Sequence, residues 1–240
     1  MRAIILAAGR GSRMKCLTDE RPKCMVELRG KTLLQWQTSA LQGAGITEIG
    51  IVRGYRKEML EEFGLTPFDN PRWAETNMVS SLACASKWLR NAPCVVSYSD
   101  IFYDASAVRM LMDTNSQLAI TYDPNWRALW EDRFADPLSD AETFRIDDNS
   151  DLLEIGQKPK QIEDVQGQYM GLLRFTPVSW RQVESLLAGL VPALSDKLDM
   201  TGMLQRLITE YGVKVRALPY TAEWGEVDSA EDLAIYGGGA

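Results

Sequence analysis

Five apolar residues in a row, Ala3 to Ala7, stand at the head of the chain and predict a strand buried on both faces. From Thr32 to Ala44 the period changes. Leu33, Leu34, Trp36, Ala40, Leu41 and Ala44 recur at helical spacing, and Gly43 and Gly45 predict where that helix stops. Ile49 to Val52 is a second short strand, which completes a βαβ unit with a right-handed crossover. The rhythm continues with a helix from Asn77 to about Leu89, capped by Asn77 or Thr76. Ala92 to Asp100 reads as a strand ending on a carboxylate, 105–114 as a helix, and Gln117 to Tyr122 as a strand. Tyr169 to Phe175 and Val213 to Leu218 are further strands, and 179–190 and 200–211 further helices. Trp224 to Tyr236 ends in a helix, followed by a tail from Gly237 to Ala240 that reads as frayed.

Residues 123–168 break this rhythm. They are polar and turn-rich, and within them "ETFRI" and "LLEIG" flank "DDNSD" as a hairpin. The stretch reads as an inserted hairpin and lid, not a second domain. The chain is therefore expected to be one α/β domain over residues 1–240, with a doubly wound, mostly parallel, Rossmann-like sheet. Ligands bind such sheets at the carboxyl ends of the strands. The loop over residues 8–25 and the loop at Asp100 should then share one cleft.

Composition narrows the chemistry. A chain of 240 residues can bury a sizeable core, and a net charge of −7 argues against nucleic acid as a partner. There is no histidine, so a Ser-His-Asp triad and any histidine base are excluded. The four cysteines form no C-x-x-C pair, which argues against a zinc site. What remains is chemistry on carboxylates, Lys, Arg, Tyr, hydroxyls or a hard cation such as Mg²⁺, which takes oxygen ligands. No stretch reads as a signal peptide or reaches transmembrane length, so no membrane is expected as a partner. The cysteine usage fits a reducing compartment, and the expected location is cytoplasmic.

The stretch "LAAGRGSRM", Leu6 to Met14, follows the first strand directly. A dinucleotide fingerprint G-x-G-x-x-G fits Gly9 and Gly11 but fails at Met14. A P-loop ending in "RGKT" fails because Met25 stands where its first glycine belongs. The third reading is a triphosphate loop of another kind. Its glycines let backbone N–H groups form an anion nest, and Arg13 and Lys23 add positive charge.

Those residues carry a resemblance. "LAAGRGSRM…LT…RPKCMVEL", with G-x-G-[ST]-R at Gly9–Arg13 and P-K at Pro22–Lys23, resembles the nucleotidyltransferase superfamily. The match is close over the first 55 residues or so, and later motifs recur in order. Within the superfamily the chain is most similar to the phosphocholine cytidylyltransferase-like group, on "ETNMVSSLACA", on "YSD" ending at Asp100, and on "WGEVDSAEDL" with Glu226 and Asp228. "WRALWEDRFADPLSDAETF" resembles a subset of that group linked to bacterial surface polysaccharide, including enzymes that activate phosphorylated glutamine. Sugar-1-phosphate nucleotidyltransferases commonly show E-K-P and N-x-G. Here "GQKP" and "QYMG" keep Lys158 but carry Gln157 and Gln168, which favours a smaller phosphorylated alcohol or amide. The guanylyltransferases of molybdenum cofactor assembly usually carry A-G-G where this chain has Ala7-Ala8-Gly9.

The resemblance implies CMP transfer from CTP to a small phosphomonoester, such as phosphocholine, an aminoalkylphosphonate or phosphoglutamine, with loss of pyrophosphate. Arg13, Lys23, Asp100 and Asp228 are the expected catalytic residues. Asp100, Asp228 and Glu226 would hold Mg²⁺, the alternatives being a helix cap for Asp100 and a surface charge or salt bridge for Glu226. Leu6, Ala7, Ala8, Gly9, Gly11, Ser12, Asn77 and Ser81 would join Arg13 and Lys23 in binding the nucleotide. Lys158, Gln168, Trp126 and Arg133 would meet the acceptor, making 123–168 an acceptor-binding lid. Trp126 and Trp130 could instead simply pack that lid, and Lys158 could be a solvated turn lysine. Two alternatives stand beside this reading: a sugar-1-phosphate nucleotidyltransferase, and a nucleotide-sensing protein on the same fold without catalysis. The pattern leaves the oligomeric state open.

Overall fold

The computed structural model describes residues 1–237, apart from the side chains of Lys15 and Cys16. The expected frayed tail therefore lies outside the described residues from Gly238 onward. A seven-stranded sheet holds, in chain order, β1 (Arg2–Ala7), β2 (Ile49–Arg53), β3 (Thr66–Asp69), β4 (Cys94–Tyr98), β5 (Leu118–Asp123), β6 (Gln168–Phe175) and β7 (Arg216–Pro219). The spatial order is β7-β5-β6-β4-β1-β2-β3. All neighbouring pairs are parallel except those of β6, which runs antiparallel to both β4 and β5. Helices cover both faces: α1 (Leu33–Gly43), α2 (Met78–Ala83), α3 (Ser86–Leu89), α4 (Ala105–Asp113), α5 (Trp126–Arg133), α6 (Pro177–Gly189), α7 (Pro192–Lys197), α8 (Met200–Tyr211) and α9 (Ala230–Gly237).

Strand alternation builds two cores. Ile4 and Leu6 point to one face of the sheet, under α2, α6 and α8. Ala3, Ile5 and Ala7 point to the other, under α1, α4 and α5. This explains why β1 is an unbroken apolar run: both its faces are covered. Local signals set the helix starts. Thr32 forms a capping box with Gln35 and opens α1. The "RGKT" decoy is thereby explained: Arg29 and Gly30, both at positive φ, form a tight turn, and Thr32 caps the helix. The helix expected from Asn77 to Leu89 is instead two. Its break falls at Cys84–Ala85, where the Ser86 hydroxyl donates to the Ala83 carbonyl (2.7 Å) and competes with the helical ladder.

The reversal of β6 positions the insertion. Gln168, the first residue of β6, pairs with Asp123, the last of β5. The intervening segment thus leaves and re-enters the sheet at the edge where β1 and β4 also end. Within it Phe144–Ile146 and Leu152–Ile155 form the expected hairpin. α5 was not anticipated. Its Trp126 and Trp130 are buried against Trp224, and the Trp126 indole donates to the Val165 carbonyl (3.1 Å). Trp130 is fully buried, so Trp130→Ala is expected to cost about 3–5 kcal/mol of stability in denaturant unfolding.

Candidate active site

Two short antiparallel strands assemble the acidic centre. Ile101–Tyr103, directly after β4, pairs with Trp224–Glu226, with Ile101 opposite Glu226. The Val227 N–H donates to the Asp100 carbonyl at 2.8 Å. This ladder brings Asp100, Glu226 and Asp228 together although they lie far apart in sequence. One carboxylate oxygen from each lies within 4.8 Å of the others. Asp100 is not a helix cap: a strand follows it, and Asp104 caps α4.

The glycine loop supplies the countercharge. Pro22 turns the chain so that Lys23 is buried, and its ammonium donates to Asp100 Oδ2 (2.8 Å) and to Asp228 Oδ1. Arg13 Nη1 pairs with the second Asp228 oxygen at 2.7 Å, with the Arg13 side chain 69% exposed. Burial alone would lower the Lys23 pKa, but Asp100, Asp228 and Glu226 outweigh it and raise the value. Glu226 is pushed up to about 8 by burial and by Asp228 and Asp100, against the pull of Lys23 and Arg133.

Gly11 fits this arrangement twice over. Its φ is +71°, and a Cβ there would lie 2.9 Å from the Lys23 side chain. Gly11→Ala is therefore expected to displace Lys23 and to cost about 1–2 kcal/mol of stability, as denaturant unfolding would measure.

Two cavities adjoin at this centre. One, of about 270 Å³, is lined by Leu6, Gly9, Gly11, Ser12, Lys23 and Asp100. The other, of about 230 Å³, is bounded by Glu226, Asp228, Gln168, Asp140, Glu142 and Asp199. Arg13, Met78 and Tyr98 line both. Ala7 and Ala8 are buried and line neither cavity. Ser81 is buried and Asn77 half-buried. Asn77 caps α2 and donates to the Lys197 carbonyl (3.1 Å), and the Ser81 hydroxyl accepts from Asn70 (3.0 Å).

Of the four residues expected at the acceptor, only Gln168 stands on a cavity wall. Lys158 is exposed and spends its ammonium on the carbonyls of Leu138 and Ser139, the latter at 2.7 Å. Trp126 packs in the core, and Arg133 lies beneath the acidic centre with its side chain 1% exposed. The acidic wall of Asp140, Glu142 and Asp199 was missed. "SDAE" in the insertion and Asp199 as the cap of α8 are the signals that carry it.

The donor set fits a hard divalent cation. Three carboxylates converge, and the buried Asp100 Oδ1 has no hydrogen-bond partner.

Residues 3–146 match the model of the MobA-like NTP transferase domain, well over half the chain. A CTP:phosphoglutamine cytidylyltransferase from Campylobacter jejuni is 34% identical over 98% of each chain. Among solved structures, an inositol-1-phosphate CTP transferase from T. maritima aligns with a TM-score of 0.76 at 17% identity, over 98% of this chain and 95% of that one. The CTP:phosphocholine cytidylyltransferase of Streptococcus pneumoniae aligns at 0.73 and 20% identity, over 98% and 97%. At such identities the two structures speak to the fold alone. With a family model over most of its length and a full-length relative at this identity, the chain belongs to the MobA-like NTP transferase family and is a nucleotidyltransferase.

Proposed function

We propose that the protein transfers CMP from CTP to a small phosphorylated acceptor carrying an ammonium group, with phosphorylated glutamine the leading substrate. One observation carries this reading: a phosphate-type loop and an acid-walled cavity meet at a single cluster of Lys23, Arg13, Asp100, Glu226 and Asp228. The loop backbone from Gly9 to Ser12 receives the triphosphate, and Lys23 and Arg13 neutralise it. The base lies toward Leu6, Ala7 and Ala8, with Asn77 and Ser81 shaping the facing helix start. The acceptor phosphate attacks the α-phosphorus, the bond to the β-phosphate oxygen breaks, and pyrophosphate leaves. That nucleophile is already anionic near neutral pH, which suits a chain without histidine. Asp100, Asp228 and Glu226 would hold Mg²⁺, which when bound supplies charge neutralisation on the reacting phosphates.

The acceptor cavity favours a cation at the end away from the phosphate. Burial and the neighbouring Asp199 and Asp140 push the Glu142 carboxyl up, against a hydrogen bond from Thr201. An ammonium set among these three carboxylates would relieve their mutual repulsion. Gln168 offers an amide to an amide-bearing acceptor. The full-length relative named for phosphoglutamine supports the same choice. We place this work in the cytoplasm; no helix among the described residues is long and apolar enough to cross a membrane. The CMP-linked product would serve as an activated donor for surface polysaccharide.

Pyrophosphate release with each NTP and a panel of phosphorylated acceptors tests the reading. Activity is expected with CTP and phosphorylated glutamine. Glu142→Gln should raise KM for ammonium-bearing acceptors about tenfold or more and leave KM for CTP in place. Activity confined to sugar 1-phosphates would favour the sugar nucleotidyltransferase, and CTP binding without turnover on any acceptor would favour the sensor.

A further inference from the structure

Arg133 sits at the C-terminal end of α5, within the insertion, and lines neither cavity itself. Its guanidinium stacks on Trp130 (4.8 Å) and Phe134 (5.1 Å). Nε donates to Asp232 Oδ1 at 2.8 Å and Nη2 to Oδ2 at 3.4 Å. Nη1, buried without a hydrogen-bond partner, faces Glu226 Oε2 at 3.6 Å. Asp232, itself 4% exposed, grips the backbone that carries Asp228. Its Oδ2 accepts from the Asp228 N–H (2.8 Å), the Ser229 N–H (2.9 Å) and the Ser229 hydroxyl (3.1 Å). A single buried guanidinium thus reaches two members of the acidic cluster: Glu226 directly, and Asp228 through Asp232.

We infer that Arg133 and Asp232 are positioning residues that hold Glu226 and Asp228 in the geometry a divalent cation requires, and so tie the insertion to that centre. The inference rests on the reading that Asp100, Glu226 and Asp228 hold the cation. Arginine suits the task because its planar fork fixes direction as well as charge, and lysine in its place keeps the charge without the fork. Residues that orient metal-bound carboxylates in this way typically change affinity 10–100-fold when altered.

Mn²⁺ serves as the probe, its binding followed by electron paramagnetic resonance in the presence of CTP. Arg133→Lys and Asp232→Asn are each expected to weaken Mn²⁺ binding by about 10–100-fold. In turnover, the metal concentration for half-maximal rate should rise in step, with kcat largely recovered at saturating metal. Trp130→Phe disturbs the same packing without touching Asp100, Glu226 or Asp228, since the indole donates to Asp140 (3.2 Å) outside that cluster, and its Mn²⁺ affinity should match the parent's. If Arg133→Lys does not fold, Asp232→Asn decides alone, since the asparagine keeps the shape of the cap. Folded variants that bind Mn²⁺ as the parent does overturn the inference and leave the cation site standing. A parent protein that binds no Mn²⁺ overturns both.

Discussion

Lys23→Met is expected to lower kcat/KM for CTP by about 10²–10³-fold, the usual consequence of removing one preorganised charge from a reacting centre. The same change should destabilise the ligand-free protein by about 3 kcal/mol, because it leaves the buried Asp228 and the partly buried Asp100 without their shared countercharge. The two effects separate experimentally. Adding Mg²⁺ should raise the melting temperature of Lys23→Met more than that of the parent, since the cation replaces the missing charge at the carboxylates. It should not restore turnover, because the phosphates still lack their lysine.

Asp228→Asn should lower kcat by about 10³-fold at saturating CTP, in line with the several kcal/mol that charge neutralisation on transferring phosphates supplies. Asp228 is where three roles coincide: it pairs with Lys23, pairs with Arg13, and belongs to the carboxylate cluster. The fold should survive, because the backbone at this position is held by Asp232, not by the Asp228 side chain. Single-turnover kinetics together with a CTP titration check this: binding should persist while chemistry stops. Loss of binding and chemistry together would make Asp228 a scaffold residue.

The parts of this site carried by local pattern were legible in the sequence. The apolar run of β1, the glycines behind it and the carboxylate ending "YSD" placed the cleft, because strand ends in such a sheet converge. Asp228 and Glu226 were legible through the likeness of "WGEVDSAEDL" to the family's second acidic motif. The antiparallel ladder that brings them to Asp100 was not, since strand direction leaves no trace in hydrophobic period. The same holds for the reversal of β6, which puts the insertion over the site. Arg133 shows the limit most plainly. In "WRALWEDRF" it reads as one charge on a polar lid, and only a partner 99 residues away reveals it as buried. Trp126 and Trp130 read as acceptor contacts or as packing, and the fold takes them for packing. Lys158 was placed by likeness to a sugar-binding motif, and here the turn at Pro137–Ser139 absorbs its charge.

The acceptor we propose is phosphorylated glutamine. Phosphorus NMR of the protein with CTP, Mg²⁺ and phosphorylated glutamine tests it most directly. Equal amounts of pyrophosphate and of a new CMP–glutamine diphosphate linkage are expected, both absent when the acceptor is omitted. Intact CTP and intact acceptor after prolonged incubation, alongside a CMP-linked product from a hexose 1-phosphate, would contradict it.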